Sequence, residues 1–176
     1  MRNATITSIS NSWAGITCNG DATIILEGTN AVKGGYENYP GIHIAQNATL
    51  TINGEGSLTA SGNNFGAGIG SGFDMACGNI VIEGGTITAT GGQYAAGIGS
   101  SGTANSSCGT ITITSSVTSV TATKGNGASI SIGAGYEESS CKTVTIGGTV
   151  YWDGSDYQNG GYSYLRQSPL TYTPGS

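Results

Sequence analysis

Polar and apolar side chains alternate through Thr49, Leu50, Thr51 and Ile52, and the same alternation returns about every thirty residues along the chain. The apolar pairs Ile24/Leu26, Leu50/Ile52, Ile80/Ile82, Ile111/Ile113 and Val144/Ile146 share one phase. A second set of pairs follows each of these: Leu58/Ala60, Ile87/Ala89, Val120/Ala122 and Val150/Trp152. A third set comprises Ile42/Ile44, Ala67/Ile69, Ala96/Ile98 and Ile130/Ile132. A period of two marks a strand with one buried and one wet face. Gly, Asn and Ser bound each run and mark turns.

The runs are grouped into copies. Residues 48–78 align block for block with residues 79–109, each segment 31 residues long. Residues 110–142 repeat the scheme with small insertions, 22–47 form a decayed copy, and 143–155 begin a last one. Three short strands cannot close a core within one copy, whereas stacked copies can. The pattern therefore predicts an all-β fold, a right-handed parallel β-helix: a three-sided β-solenoid of five to six coils. Residues 1–155 are expected to form the coils, with an N-terminal cap around Trp13, Ala14 and Ile16. Residues 156–176, with Tyr157, Tyr162, Tyr164, Leu165, Leu170 and Tyr172, are expected to cap the other end.

Glycine recurs at one point of the pattern: GAGIGSG at 66–72, with relatives at 95–102 and 129–135. Alternation puts Gly68 and Gly70 outward, with His43, Gly97 and Ser131 continuing the column. Such a bare strand face either lets something flat lie on it or satisfies a tight corner.

Composition narrows the partners. Charged residues make up 9% of the chain and the net charge is −5, with five scattered basic residues. That excludes a phosphate-tracking groove for nucleic acid. No apolar stretch approaches the roughly 20 residues of a membrane span, so membrane insertion is not expected. MRNATITSIS lacks the apolar core of an export signal and reads as the start of an excised domain.

Candidate chemistry is sparse. Cys77, Cys108 and Cys141 each precede the first inward residue of a copy by three positions and should stack, with Cys18 outside the column. Neighbours in that column could be disulfide-linked or remain buried thiols. The spacing fits no zinc or haem motif. His43 is the single histidine, with no nucleophile marked out beside it. Glu27 and Glu83 fall at equivalent points two rungs apart, about 9.6 Å, at the wide edge of an inverting glycosidase pair. Nothing flanking supports that site, and Glu137 and Glu138 read as solvated loop residues. No catalytic residue, metal ligand or cofactor is assigned, and no enzyme is expected.

Two surfaces remain. Tyr39, Phe65 and Tyr94 precede successive third strands, with Asn38, Asn64 and Gln93 beside them, the ring-and-amide combination that suits a sugar. The same rings could simply cover a corner. Thr59, Thr88, Thr90, Thr121 and Thr123 repeat a Thr-x-Thr spacing on the second face, as a flat ice-binding grid would, although Thr is also a generic strand residue. The grid reads as broken at Tyr151 and Asp153.

The stretches LTINGEGSLTASG, GAGIGSG, CGNIVIEGGTITATGG and GGTVYWDGSDYQNGGYSYLRQSPLTYTP carry a resemblance. They are similar to a group of bacterial cell-surface and secreted β-helical repeat proteins, abundant in gut Firmicutes and Bacteroidetes and often labelled carbohydrate-binding. The resemblance covers most of residues 22–174. It implies a non-catalytic module of a larger surface protein, located outside the cell. Its expected partners are a polysaccharide or host glycan and the neighbouring domains. Adhesion and spacing are both compatible with it. The alternatives are a polysaccharide lyase or glycosidase and an ice-binding protein.

Overall fold

A computed structural model describes residues 1–8, 12–136 and 138–176. Three parallel sheets run side by side along one axis. The first face stacks Ala22–Leu26, Thr49–Gly54, Asn79–Ile82, Ile111–Ile113 and Val144–Ile146. Thr5–Thr7, Thr29–Lys33, Ser57–Ser61, Thr86–Thr90 and Ser119–Thr123 build the second face. The third takes Ile16–Cys18, Ile42–Ile44, Ile69–Gly70, Ile98–Gly99 and Ile132–Gly133. The chain is a three-sided parallel β-solenoid of about five turns.

The expected inward columns form the core. Leu58, Ile87 and Val120 lie in register, as do Ala60, Ala89 and Ala122 beside them. Leu50, Ile80, Ile111 and Val144 fill the first face, and Ile42, Ile69, Ile98 and Ile132 the third; all are fully buried. Burying each such side chain contributes about 1.5–3 kcal/mol for Val, Leu or Ile. One polar residue joins the core near the N-terminus. Asn30 occupies the Leu58 column, where its amide donates to the carbonyls of Glu27 and Ser57 and accepts from the Ala4 N–H.

The first coil differs from the expected register. Ala22 pairs with Leu50 and Ile24 with Ile52, so Leu26 falls beside Gly54. On the third face Ile42 pairs with Ile69, which puts His43 beside Gly70 rather than Gly68. Both shifts are of two residues. A shift of two preserves which side chains face inward, so the alternation looks the same in either register.

Both ends depart from expectation. Ile16 is no cap residue: it pairs in parallel with Ile42 and opens the third face. Val150 and Trp152 do not join the second face. Thr149–Trp152 folds back antiparallel onto Val144–Ile146, through Gly147 and Gly148, whose φ values are 59° and 84°. Positive φ at both central residues is the signature of a tight two-residue hairpin turn. Leu170–Tyr172 closes the second face, also antiparallel. The third face receives Leu165, whose carbonyl accepts the Ser131 N–H at 2.8 Å. A four-residue helix, Gly161–Tyr164, connects these pieces.

The glycine column serves a corner. Gly68 and Gly97 are buried, so they form no open shelf. A Cβ on Gly68 would lie 2.7 Å from the Thr90 nitrogen and 2.9 Å from the Ala60 oxygen, both on the second face. Gly70, Gly99 and Gly133 stack with φ of 144°, 135° and 123°, a region that side chains rarely occupy. A Cβ on Gly99 would run into the Gly133 carbonyl. Gly99→Ala should therefore cost about 2 kcal/mol or more, read as a lowered denaturant midpoint. Gly20→Ala, with no atom within 4 Å of the added Cβ, should stay within about 0.5 kcal/mol of the parent. Equal effects would show that the column imposes no constraint.

Candidate functional site

The corner between the second and third faces repeats one tight turn. The Gly66 N–H bonds the Asn63 carbonyl at 2.8 Å, Ala95 bonds Gly92 at 3.0 Å, and Ala128 bonds Gly125 at 3.1 Å. Phe65 and Tyr94 hold the same position of the first two turns. Their rings stack with centroids 5.8 Å apart and planes 8° from parallel. Gly127 holds that position in the third turn. A Cβ there would come within 2.6 Å of the Tyr94 ring, so the ring takes the space. Tyr136 then meets Tyr94 edge to face at 5.8 Å, and Phe73 meets Phe65 likewise at 5.6 Å. Four rings thus run along the corner in the order Phe73, Phe65, Tyr94, Tyr136.

Tyr39 stands apart from this run. It lies three residues before its strand residue Ile42, whereas Phe65 and Tyr94 lie four before Ile69 and Ile98. Its side chain lines a groove of about 460 Å³ with Trp13, His43 and Met75. Asn38, at φ 64°, offers its carbonyl to the Phe73 N–H at 3.1 Å. Asn64, at φ 42°, donates its side-chain amide to the Tyr36 carbonyl at 2.6 Å. Asn64 and Gln93 are exposed beside Phe65 and Tyr94. Phe73 and Tyr136 were missed in the sequence because they lie outside the repeated turn and because the coil between them carries Gly102 at the same place, three residues after the paired glycines Gly70, Gly99 and Gly133.

The second face carries ordered hydroxyls. Thr59, Thr88 and Thr121 lie in register, and Ser61, Thr90 and Thr123 form the next column. Ser57, Thr86 and Ser119 add a third, giving a three-by-three grid. Its spacings are about 4.8 Å between strands and about 6.6 Å along them. The strand after Ser119–Thr123 is not Tyr151/Asp153, as the repeat suggested. Leu170–Tyr172 takes that place and sets Thr171 beside Thr121, their hydroxyls 3.4 Å apart. On the N-terminal side Thr29 extends the Ser57 column, while the other two columns end at Ala31 and Lys33.

The remaining candidates separate. Glu27 sits beyond the end of Ala22–Leu26, near Arg2 at 3.7 Å, while Asn53 pairs with Ile25. Glu83 follows Ile82, the partner of Ile52, so Glu27 and Glu83 share no column. The two-residue register shift is the reason. Glu138 is exposed, and Glu137 lies outside the described residues. His43 is buried, with Nδ1 3.1 Å from the Gly70 carbonyl oxygen. Burial pulls its pKa below the ordinary imidazole value, against an opposing pull from that hydrogen bond, so the ring is neutral at pH 7.

The cysteine column is present. Cys108 pairs with Cys141, and the bridge between Ala76 and Ser107 sets Cys77 beside Cys108. All four cysteines are buried free thiols, with Cys18 on the third face beside Ile44. The neighbouring Cys77 thiol and burial raise the Cys108 pKa well above the usual thiol range, and burial does the same for Cys141. Protonated, buried thiols are poor nucleophiles. Among the described residues, no three His, Cys, Asp or Glu side chains gather into a metal-sized cluster.

A family model described as a beta helix repeat matches residues 50–73 and 80–102. Those segments are the two most regular coils, each running from the first face through the glycine corner. The chain is a β-helical repeat protein. No curated protein and no solved structure matches it at a significant level. Among the described residues, no helix is long and apolar enough to cross a membrane.

The buried column makes a chemical prediction. A disulfide-exchange reagent at pH 8 should label the native thiols slowly and all four quickly in denaturant. Fast native labelling of Cys108 would show that the column is open.

Proposed function

We propose that this solenoid is a non-catalytic glycan-binding module of a surface or secreted protein. The observation that carries the reading is the four-ring run at the corner, with Asn64 and Gln93 exposed alongside Phe65 and Tyr94. Phe65 and Tyr94 each use one face on the other, so a polymer meets their edges, the Tyr hydroxyls and the exposed ring of Phe73. Aromatic bodies with polar tips suit a surface that is partly apolar and partly wet. The flanking amides supply both donors and acceptors for sugar hydroxyls. A polymer lying along the axis would cross successive turns of one corner and meet a repeated surface. The rigid stack beneath holds that surface in a fixed geometry, which limits the entropy lost on binding.

The test is a glycan array followed by calorimetry on the best ligand. Phe65→Ala together with Tyr94→Ala should weaken binding at least tenfold while the solenoid stays folded. A module that binds no glycan is a spacer. Release of sugar products from any polymer by this chain would make it an enzyme.

The hydroxyl grid favours a second reading, ice binding. Nine Ser and Thr hydroxyls in three aligned columns offer a regular array. Thermal hysteresis lost on Thr88→Tyr is the expected outcome, and its absence in the parent chain overturns this reading.

A further inference from the structure

The C-terminal end of the solenoid holds a cavity of about 260 Å³ that lies apart from the hydroxyl grid and shares a single ring, Tyr136, with the corner run. Its walls include Tyr136, Trp152, Tyr157, Ser140 and Arg166. The hairpin strand Thr149–Trp152 supplies Trp152, which is fixed by its indole N–H bonding the Cys141 carbonyl at 2.9 Å. Tyr157 meets Trp152 edge to face at 4.9 Å and Tyr162 at 5.4 Å. Arg166 lies on the segment that closes the third face, its guanidinium carbon 4.2 Å from the centre of the Tyr162 ring.

The Arg166 Nε is buried and has no hydrogen-bond partner among the described residues. An unpaired N–H of a buried cation is costly to leave unmade. A second cation stands close by. Burial, and then the positive charge of Arg166, lower the Lys124 pKa. The ammonium of Lys124 donates to a neutral carbonyl, that of Ser129, at 3.0 Å. Among the described residues, the ion pair found is Arg2 with Glu27, at the opposite end of the chain. In a chain of net charge −5, the C-terminal end therefore concentrates two cations without a carboxylate partner among the described residues and sets one of them in an aromatic-walled cavity.

We propose that this cavity binds a carboxylate carried on a sugar-sized ring, that is, a single uronic acid residue. The planar guanidinium matches a carboxylate through two parallel N–H donors. Trp152, Tyr157 and Tyr136 offer apolar surface to the ring, and the Ser140 hydroxyl can pair with a sugar hydroxyl. The volume lies just under the roughly 300–1,000 Å³ of sites for drug-sized ligands, so it admits one ring and no polymer. Tyr136 is both a wall of this cavity and the last ring of the corner run. An acidic sugar ending or branching a polymer on the corner would therefore reach Arg166. The proposal rests on the glycan reading for its ligand class and, for its site, on Trp152, Tyr157 and Arg166, which lie outside the corner run.

Calorimetric titration with D-glucuronate, D-glucose and acetate tests it. Glucuronate should bind saturably, with glucose and acetate each at least tenfold weaker. Arg166→Gln should weaken glucuronate binding tenfold or more, and Thr112→Ala, on the outer side of the first face, should leave it unchanged. On the parent chain, NMR shifts induced by glucuronate should be confined to the Trp152 indole N–H and to Tyr136, Tyr157 and Arg166. That measurement decides the matter even where Arg166→Gln unfolds the cap. Glucose binding as tightly as glucuronate, acetate doing so, shifts elsewhere on the surface, or no saturable binding would each overturn the proposal. Glucuronate binding by a parent chain that binds no polymer rejects the corner reading alone. Polymer binding without glucuronate binding rejects the cavity alone.

Discussion

Every surface of this molecule depends on one constraint: each coil must place its inward aliphatic side chains directly over those of the coil before. The parallel ladders and the core enforce this together. A strand displaced by one residue would send Ile87 or Ile98 into solvent and bring Thr88 or a corner glycine inward. No coil has a core of its own, so the penalty for slipping is shared with both neighbours. The outward columns follow passively. Thr59, Thr88 and Thr121 align because Leu58, Ile87 and Val120 must.

An array built this way is stable in its middle and exposed at its ends, because a terminal strand presents unpaired N–H and C=O groups. The two ends solve this differently. At the N-terminus, Asn30 replaces an aliphatic and ties the chain before it to two carbonyls and one N–H. At the C-terminus, the last strands of the first and second faces receive antiparallel partners, which another copy cannot extend in the parallel sense. The turns of the capping loop are held by Asp153. It accepts the N–H groups of Ser155 and Asp156, and these bonds lower its pKa to about 2.

The period-two pattern made the coils legible in the sequence, because burial repeats at a fixed interval and leaves its mark on every copy. Register in the first coil was not legible. Ile24 and Leu26 satisfy the pattern in either of two placements two residues apart, and only packing over Gly54 distinguishes them. The same ambiguity brought Glu27 and Glu83 together on paper, whereas Tyr39 stands apart from the ring run because it lies one residue closer to its strand than Phe65 and Tyr94 do. Val150 and Trp152 mimicked a repeat strand because an antiparallel strand alternates just as a parallel one does. The reversal was signalled by Gly147 and Gly148, a turn too tight for the wider corner of the repeat. Arg166 was invisible to self-comparison, since it occurs once and its neighbours come from the cap.

The aromatic run illustrates how far a column can depart from its template while serving the same place. The repeated turn supplies a ring twice, at Phe65 and Tyr94, and glycine the third time, at Gly127. A third ring at that position would have to occupy volume the Tyr94 ring already fills. Tyr136 continues the run from the far side of the third strand instead, turned edge-on to Tyr94. That turn points the run toward the C-terminal end, where Tyr136 becomes a wall shared with Trp152 and Arg166. A strictly repeated column would have continued straight along the axis. The departure from the repeat is what joins the uncharged corner to the one end of the molecule where two cations lie together.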